Sequence, residues 1–199
     1  MNKLQDIIEE IKRLEKQLLV GFQKKEEEYF YRIKGQKVYF EEETKKLHKT
    51  LATKLYVYLL NASFLNILTA PIIWFCIFPA LFMDFVVTTY QFICFKVYGI
   101  PRVKRKDYIV IDRQSLSYLN PIEKLNCVYC GYFNGLMAFT QEIAARTEQY
   151  WCPIKHARKL RSIHSRYFKF MEYGNHQAYQ EKLEEIRRDF KDIESQNSL

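Results

Sequence analysis

Residues 55–98 read LYVYLLNASFLNILTAPIIWFCIFPALFMDFVVTTYQFICFKVY, and how this stretch folds decides the rest of the chain. From Leu55 to Phe95 its single formal charge is Asp84. A helix crosses the hydrocarbon core of a bilayer in about 20 apolar residues. The stretch is about twice the length of one span, and a membrane helical hairpin over 55–98 fits it best. Pro79 stands near the midpoint and Pro71 about two helical turns earlier. Aromatic residues mark the ends and the turn: Tyr56 and Tyr58, Trp74, and Tyr98. The turn region from Phe75 to Met83 has no polar loop, so a re-entrant hairpin that stops inside the bilayer stays open beside two full spans. A buried hairpin in a soluble protein is disfavoured, because the remaining chain has too little apolar surface to wrap it.

Outside this stretch the chain is charged. The 199 residues are 48% hydrophobic and 27% charged, with a formal net charge of +8. Lys45, Lys46, Lys49 and Lys54 precede the apolar stretch, and Lys96, Arg102, Lys104, Arg105 and Lys106 follow it. Basic residues gather on the cytoplasmic side of membrane proteins, so the hairpin expectation puts both termini in the cytoplasm. Such a cation excess favours anionic surfaces. For a tethered protein the lipid headgroups are nearer than nucleic acid, which ranks below them. The N-terminal arm ahead of the stretch holds no apolar run of the kind a secretory signal needs.

The arm over residues 1–54 carries a heptad seam at Leu4, Ile7, Ile11, Leu14 and Leu18. It predicts an amphipathic or coiled-coil helix that packs on its own domain, on a second copy or on a partner. The stretch from Tyr29 to Phe40 is read as more helix, with a β-hairpin about Gly35 as the alternative.

The segment 99–176 is expected to be a small helical cytoplasmic domain, followed by a charged helix and tail over 177–199. Its chemistry rests on Cys127 and Cys130, with two residues between them, and on Cys152 and His156, with three. Two such half-sites in a reducing compartment point to a metal rather than disulfides. A Cys3His set closes a tetrahedral zinc shell. Gly131 suits a knuckle turn after Cys130, and Pro153 suits the first turn of a helix capped by Cys152. Structural zinc is one expectation. Iron in a redox centre, a metal-free dithiol and plain buried cysteines remain open beside it. A closed four-ligand shell leaves no position for water and argues against hydrolytic zinc. Glu142 and Arg146 are read as an exposed ion pair, Glu148 as support for the site or as a solvent-exposed residue, and His164 and His176 as surface residues. Lys155, Arg158, Lys159, Arg161, Arg166 and Lys169 are read as a basic helix face.

The runs from Tyr98 to Arg113, from Glu123 to Cys130 and from Glu148 to His156 resemble a family of bacterial inner-membrane proteins bearing the signature NCxYC…EQYWCPIKH. The likeness covers roughly residues 55–175. It implies a location in the bacterial inner membrane and carries over no activity.

Together these readings predict a mainly α protein: a membrane-anchored, cytoplasm-facing scaffold with a zinc module, recruiting a partner or a second copy through residues 1–54. The alternative is a membrane-bound redox protein with iron at the same ligands. Neither Asp84 nor His164 has a partner at productive spacing, so an enzyme is not the favoured reading.

Overall fold

The computed structural model describes the backbone of residues 3–196 and the side chains of residue 10 and residues 13–193. The chain is mainly helical and divides into two compact units. One comprises Met1–Asn61 with Asp112–Val128, the other Ala62–Ile111 with Tyr129–Leu199.

In the first unit, helix α1 runs Lys3–Glu28. Of the heptad seam, the side chains of Leu4, Ile7 and Ile11 lie outside the described residues. Leu14 and Leu18 are 52% and 59% exposed. The helix does not continue through Tyr29–Phe40. Strands β1 (Tyr31–Lys34) and β2 (Lys37–Phe40) pair as an antiparallel hairpin, Tyr31 opposite Phe40 and Lys34 opposite Lys37. Alternating aromatic and β-branched residues favour strand, and Gly35 in the tight loop takes φ +64°, a conformation open to glycine. Helix α2 (Glu42–Thr50) and helix α3 (Leu55–Asn61) follow. An edge-on ring chain, Phe40 to His48 at 5.3 Å and His48 to Tyr118 at 5.1 Å, ties β2 and α2 to the segment after Asp112.

The second unit is built on the apolar stretch. Helix α4 (Phe64–Phe75) leads through Cys76 into helix α5 (Ile77–Tyr90). A π-helical turn (Gln91–Phe95) and a last helical turn, α6 (Lys96–Tyr98), complete it. The result is a near-continuous helix over Phe64–Tyr98, 35 residues long, and the expected hairpin turn does not form. Cys76 keeps right-handed helical angles, φ −62° and ψ −11°. Pro79 has no N–H to give to the carbonyl one turn back and its ring crowds that carbonyl. The helix loosens at Cys76 instead of reversing. The Cys76 amide bonds to Ile73 O at 3.1 Å, and the Ala80 amide returns to Cys76 O at 3.3 Å. A reversal needs turn residues such as Gly or Asn, and neither stands between Pro71 and Met83. The helix ends at Gly99, φ +69°, where the Ile100 amide reaches back to Phe95 O at 2.9 Å, closing a glycine C-cap.

Helix α7 (Pro121–Trp151) is the other long element. Pro121 occupies its first position. Asn120 and Glu123 close a capping box, the Glu123 amide donating to Asn120 Oδ1 at 3.0 Å and the Asn120 amide to Glu123 Oε2 at 2.9 Å. Within the second unit α7 lies beside the apolar helix and runs in the same direction. Tyr129 Oη donates to Ile73 O (2.8 Å), Tyr132 meets Asp84, Tyr90 Oη meets Thr147 Oγ1 (3.1 Å), and Tyr98 stacks on Tyr150 (5.1 Å). Ala80, Phe95, Ile100, Val103, Leu136, Phe139, Ile143 and Phe190 form the core. Helices α8 (His176–Arg188) and α9 (Lys191–Gln196) close the chain.

Candidate functional site

The four expected metal ligands are not gathered. Helix α7 is unbroken from Pro121 to Trp151, so at about 1.5 Å per residue Cys130 stands about 33 Å along it from Cys152. Cys127 is one turn further away on the same helix. Among the described residues no three His, Cys, Asp or Glu side chains form a group able to hold a metal ion. The knuckle expected at Gly131 is ordinary helix. The helix expected after Pro153 is replaced by extended chain, with the Lys155 amide on Met171 O (2.7 Å) and the Met171 amide on Pro153 O (2.9 Å). His156 is exposed and its ring lies parallel to Tyr167. Burial pushes the Cys152 thiol up and the nearby Glu148 carboxylate adds to it.

What Gly131 and Gly135 do is different. Spaced one helical turn apart, they form a groove along α7 that receives the backbone of Tyr108–Val110. A Cβ on Gly131 would lie 3.1 Å from Val110 O; one on Gly135 would lie 2.7 Å from Tyr108 O and 2.8 Å from Ile109 Cα. Small residues at this spacing let backbones approach closely in membrane proteins. The motif stands in the sequence as Gly131-Tyr-Phe-Asn-Gly135, directly beside the cysteines whose own spacing points to metal.

The segment from Ile100 to Ile111 returns along the apolar helix. Its Val103 amide donates to the side-chain carbonyl of Gln91, 3.0 Å away and buried where the π-helical turn directs it inward. Further along, Arg105 pairs with Asp84. Asp84 also accepts from Tyr132 Oη at 2.8 Å and from Thr88 Oγ1 at 3.2 Å. The Arg105 guanidinium lies over the rings of Tyr132 and Phe139, 5.9 and 6.0 Å from their centroids. The charge that interrupts the apolar stretch is thus neutralised inside the unit. Charges within apolar helices are costly and are retained where they are paired.

No family model matches the chain, and no curated protein or solved structure matches it either.

Among the described residues one helix, Phe64–Tyr98, is long and apolar enough to cross a membrane. From Phe64 to Met83 it carries no formal charge, which is about 30 Å of helix and the thickness of a hydrocarbon core. Its outer side is exposed apolar surface, including Leu65, Ile72, Phe75, Phe78 and Phe82. Alongside, the part of α7 in this unit carries no formal charge from Tyr129 to Gln141. Cys76 and Cys130 stand on these two helices.

Past that level the second unit is polar and closely bonded. Glu142 and Arg146 pair at 2.8 Å, as their spacing predicts, but both are buried. Arg146 also donates to Pro101 O (2.7 Å), and Ser165 Oγ donates to Glu142 (2.6 Å). Gln149, fully buried, accepts from Arg166 Nε (2.6 Å) and donates to Ile186 O and Asp189 O. His164, expected at the surface, is half-buried with Nε2 3.0 Å from Glu148 Oε2. The expected basic helix face does not exist. Arg166 and Lys169 are held by Asp189 and Asp192, and Lys155 by Glu172. Burial would raise the Asp192 carboxyl, but Arg166 and Lys169 outweigh it and hold it far below the usual carboxylate range. These groups satisfy one another, which is what a docking of irregular chain onto α7 requires.

Proposed function

We propose that the protein is a membrane-anchored adaptor, held in a bilayer by the helix Phe64–Tyr98 and acting through binding rather than catalysis. The observation that carries this is the uncharged stretch from Phe64 to Met83, exposed along its outer side and closed by the neutralised pair Asp84–Arg105. A contiguous apolar surface of this length is far larger than soluble monomers expose, and lipid is the partner that covers it. The polar module around Glu142, Arg146, Gln149 and Arg166 then stands in water beyond the Tyr98 end. The exposed apolar residues of α1, Leu14, Leu18, Leu19, Val20 and Phe22, are the surface offered to a partner protein or a second copy. The ligands that zinc or iron would need lie on separate parts of α7 and the chain after it.

A single crossing puts Ser63 and Lys96 on opposite faces of the bilayer. The hairpin topology would return both to one face. The resemblance to bacterial inner-membrane proteins makes that membrane the bilayer to test first. Two measurements decide the matter. The protein should stay in the membrane pellet through alkaline carbonate extraction. With the native cysteines replaced by alanine, single cysteines at positions 63 and 96 should react with an impermeant maleimide from opposite sides of sealed vesicles. Release by carbonate overturns the anchor; labelling of both positions from one side overturns the single crossing.

A further inference from the structure

The chain between Ile100 and Asp107 is built as a rail of cations along the edge of the apolar surface. Val103 is buried and its amide is fixed to Gln91. Arg105 is taken up by Asp84. The backbone is extended up to Lys104, at φ −83° and ψ 107°, and a 3-10 turn, Arg105–Asp107, follows it, so Arg102 and Lys104 face away from the buried Val103 and Lys106 stands outward on the turn. Arg102, Lys104 and Lys106 are exposed, and among the described residues none of the three has an ion-pair partner. Arg102 and Lys104, alternate residues of the extended run, lie about 6.6 Å apart. The rail starts beside lipid-facing aromatic surface: the Arg102 guanidinium sits 5.5 Å from the centroid of the Phe92 ring, and Phe92 is itself exposed. Asp107 is the one acid between Ile100 and Ile111 and Asp84 is taken by Arg105, so the three outward cations keep a positive excess.

From this placement we infer that Arg102, Lys104 and Lys106 form a binding site for the phosphate of anionic phospholipids in the leaflet at the Tyr98 end of the helix. The inference rests on the membrane-anchor reading and adds to it a lipid class and the residues that select it. The physical case has three parts. Loose surface lysines lose side-chain and backbone freedom when they bind, whereas this backbone is already held by Gln91 and Asp84. The level is right, because Asp84 ends the uncharged part of the helix, Arg102 and Lys104 flank the residue that bonds Gln91 beyond it, and Lys106 follows Arg105 at the level of Asp84. The chemistry is right too, because a guanidinium seated on an aromatic ring at an apolar edge meets lipid phosphate without leaving its place. Each cation near an anionic leaflet is worth about fivefold in association.

The test uses the full chain reconstituted into vesicles of phosphatidylcholine and phosphatidylglycerol in a ratio of seven to three. Trace spin-labelled phosphatidylcholine or phosphatidylglycerol is added, and the immobilised lipid fraction is read for each. An immobilised component of either label reports insertion itself. The wild type should favour the phosphatidylglycerol label about fivefold or more, and raising the salt should reduce that preference. R102Q/K104Q/K106Q should bring the two labels close to parity while the total immobilised fraction holds. K159Q/R161Q, which removes two exposed cations elsewhere in the same unit, should keep the wild-type preference. Parity in the wild type, a preference that survives the triple substitution, or an equal loss in K159Q/R161Q overturns the rail and leaves the anchor standing. No immobilised component with either label overturns the anchor, and the rail with it.

Discussion

A Cβ placed on Gly135 would stand 2.7 Å from the carbonyl oxygen of Tyr108 and 2.8 Å from Ile109 Cα. Both neighbours are backbone, so nothing there can swing aside. Alanine at this position gains helix propensity of about 1 kcal/mol and meets an overpacking cost of about 1–3 kcal/mol. The net expectation for Gly135→Ala is destabilisation. At Gly131 the contact is looser, 3.1 Å to Val110 O, and Gly131→Ala should come out near neutral. Thermal unfolding of both variants in detergent checks this. Equal tolerance of the two would mean that the extended segment does not lie in the groove.

The pair Asp84–Arg105 joins positions far apart in the chain. Asp84→Asn keeps shape and removes the charge, leaving Arg105 at the apolar edge without its counter-ion. A loss of about 1–3 kcal/mol is expected. The double variant with Arg105→Gln should recover part of it, since each charge is costly mainly in the absence of the other. A double-mutant cycle on unfolding in detergent gives the coupling. A coupling indistinguishable from zero would remove the pair from the account of this fold.

Acid should release the C-terminal helices before the core. The folded Asp192 carboxyl lies far below its usual value, and an unfolded aspartate titrates near about 3.9. A group depressed on folding contributes stability that is fully present above the unfolded pKa and is lost as pH falls towards the folded one. The α8–α9 region should therefore be intact at neutral pH and weaken as pH drops below about 4. Amide exchange across residues 176–193 reads this. Asp192→Asn should weaken protection at neutral pH and flatten the acid dependence, so that the gap to the wild type closes as pH falls. An unchanged profile in that variant would show that Arg166 and Lys169 do not hold the helices through it.

Chelation should leave stability untouched. A structural zinc is worth on the order of 10–16 kcal/mol, so a Cys3His protein would unfold when treated with a strong chelator. With Cys130 and Cys152 about 33 Å apart along one helix, neither a chelator nor the substitutions Cys130→Ala and Cys152→Ser should move the midpoint by more than a few degrees. Stoichiometric zinc in the purified protein, lost together with the fold, would restore the metal reading.

The apolar stretch is legible in the sequence because so long a run with one charge admits few solutions in water. Its turn is not. Proline marks a break in a helix but does not say whether the chain reverses or carries on. That depends on neighbours such as Tyr129, which bonds to Ile73 from a distant part of the chain. The capping residues Asn120, Pro121 and Glu123 announce the start of α7 plainly, yet the spacing of Cys127 and Cys130 masks an unbroken helix. Spacing in sequence becomes spacing in space only once the intervening structure is known. The chain between Cys130 and Cys152 is free on paper to loop back, and it runs straight. The hairpin at Gly35 turns on alternation over a short stretch, where helix and strand patterns are hard to tell apart. Burial of Glu142 with Arg146 is invisible in their spacing, which is the same for an exposed pair.

The shared direction of the two long helices also fixes an order in time. Asp84 leaves the ribosome well ahead of Arg105 and further still ahead of Tyr132. During synthesis the helix from Phe64 to Met83 is complete while its closing carboxylate still has no counter-charge. That carboxylate must wait at the water's edge, held there by the cost of burying it alone, and the newborn helix cannot slide deeper. In the proposed anchor, the residue that ends the apolar stretch would act as a stop during insertion before it becomes a bond in the finished fold.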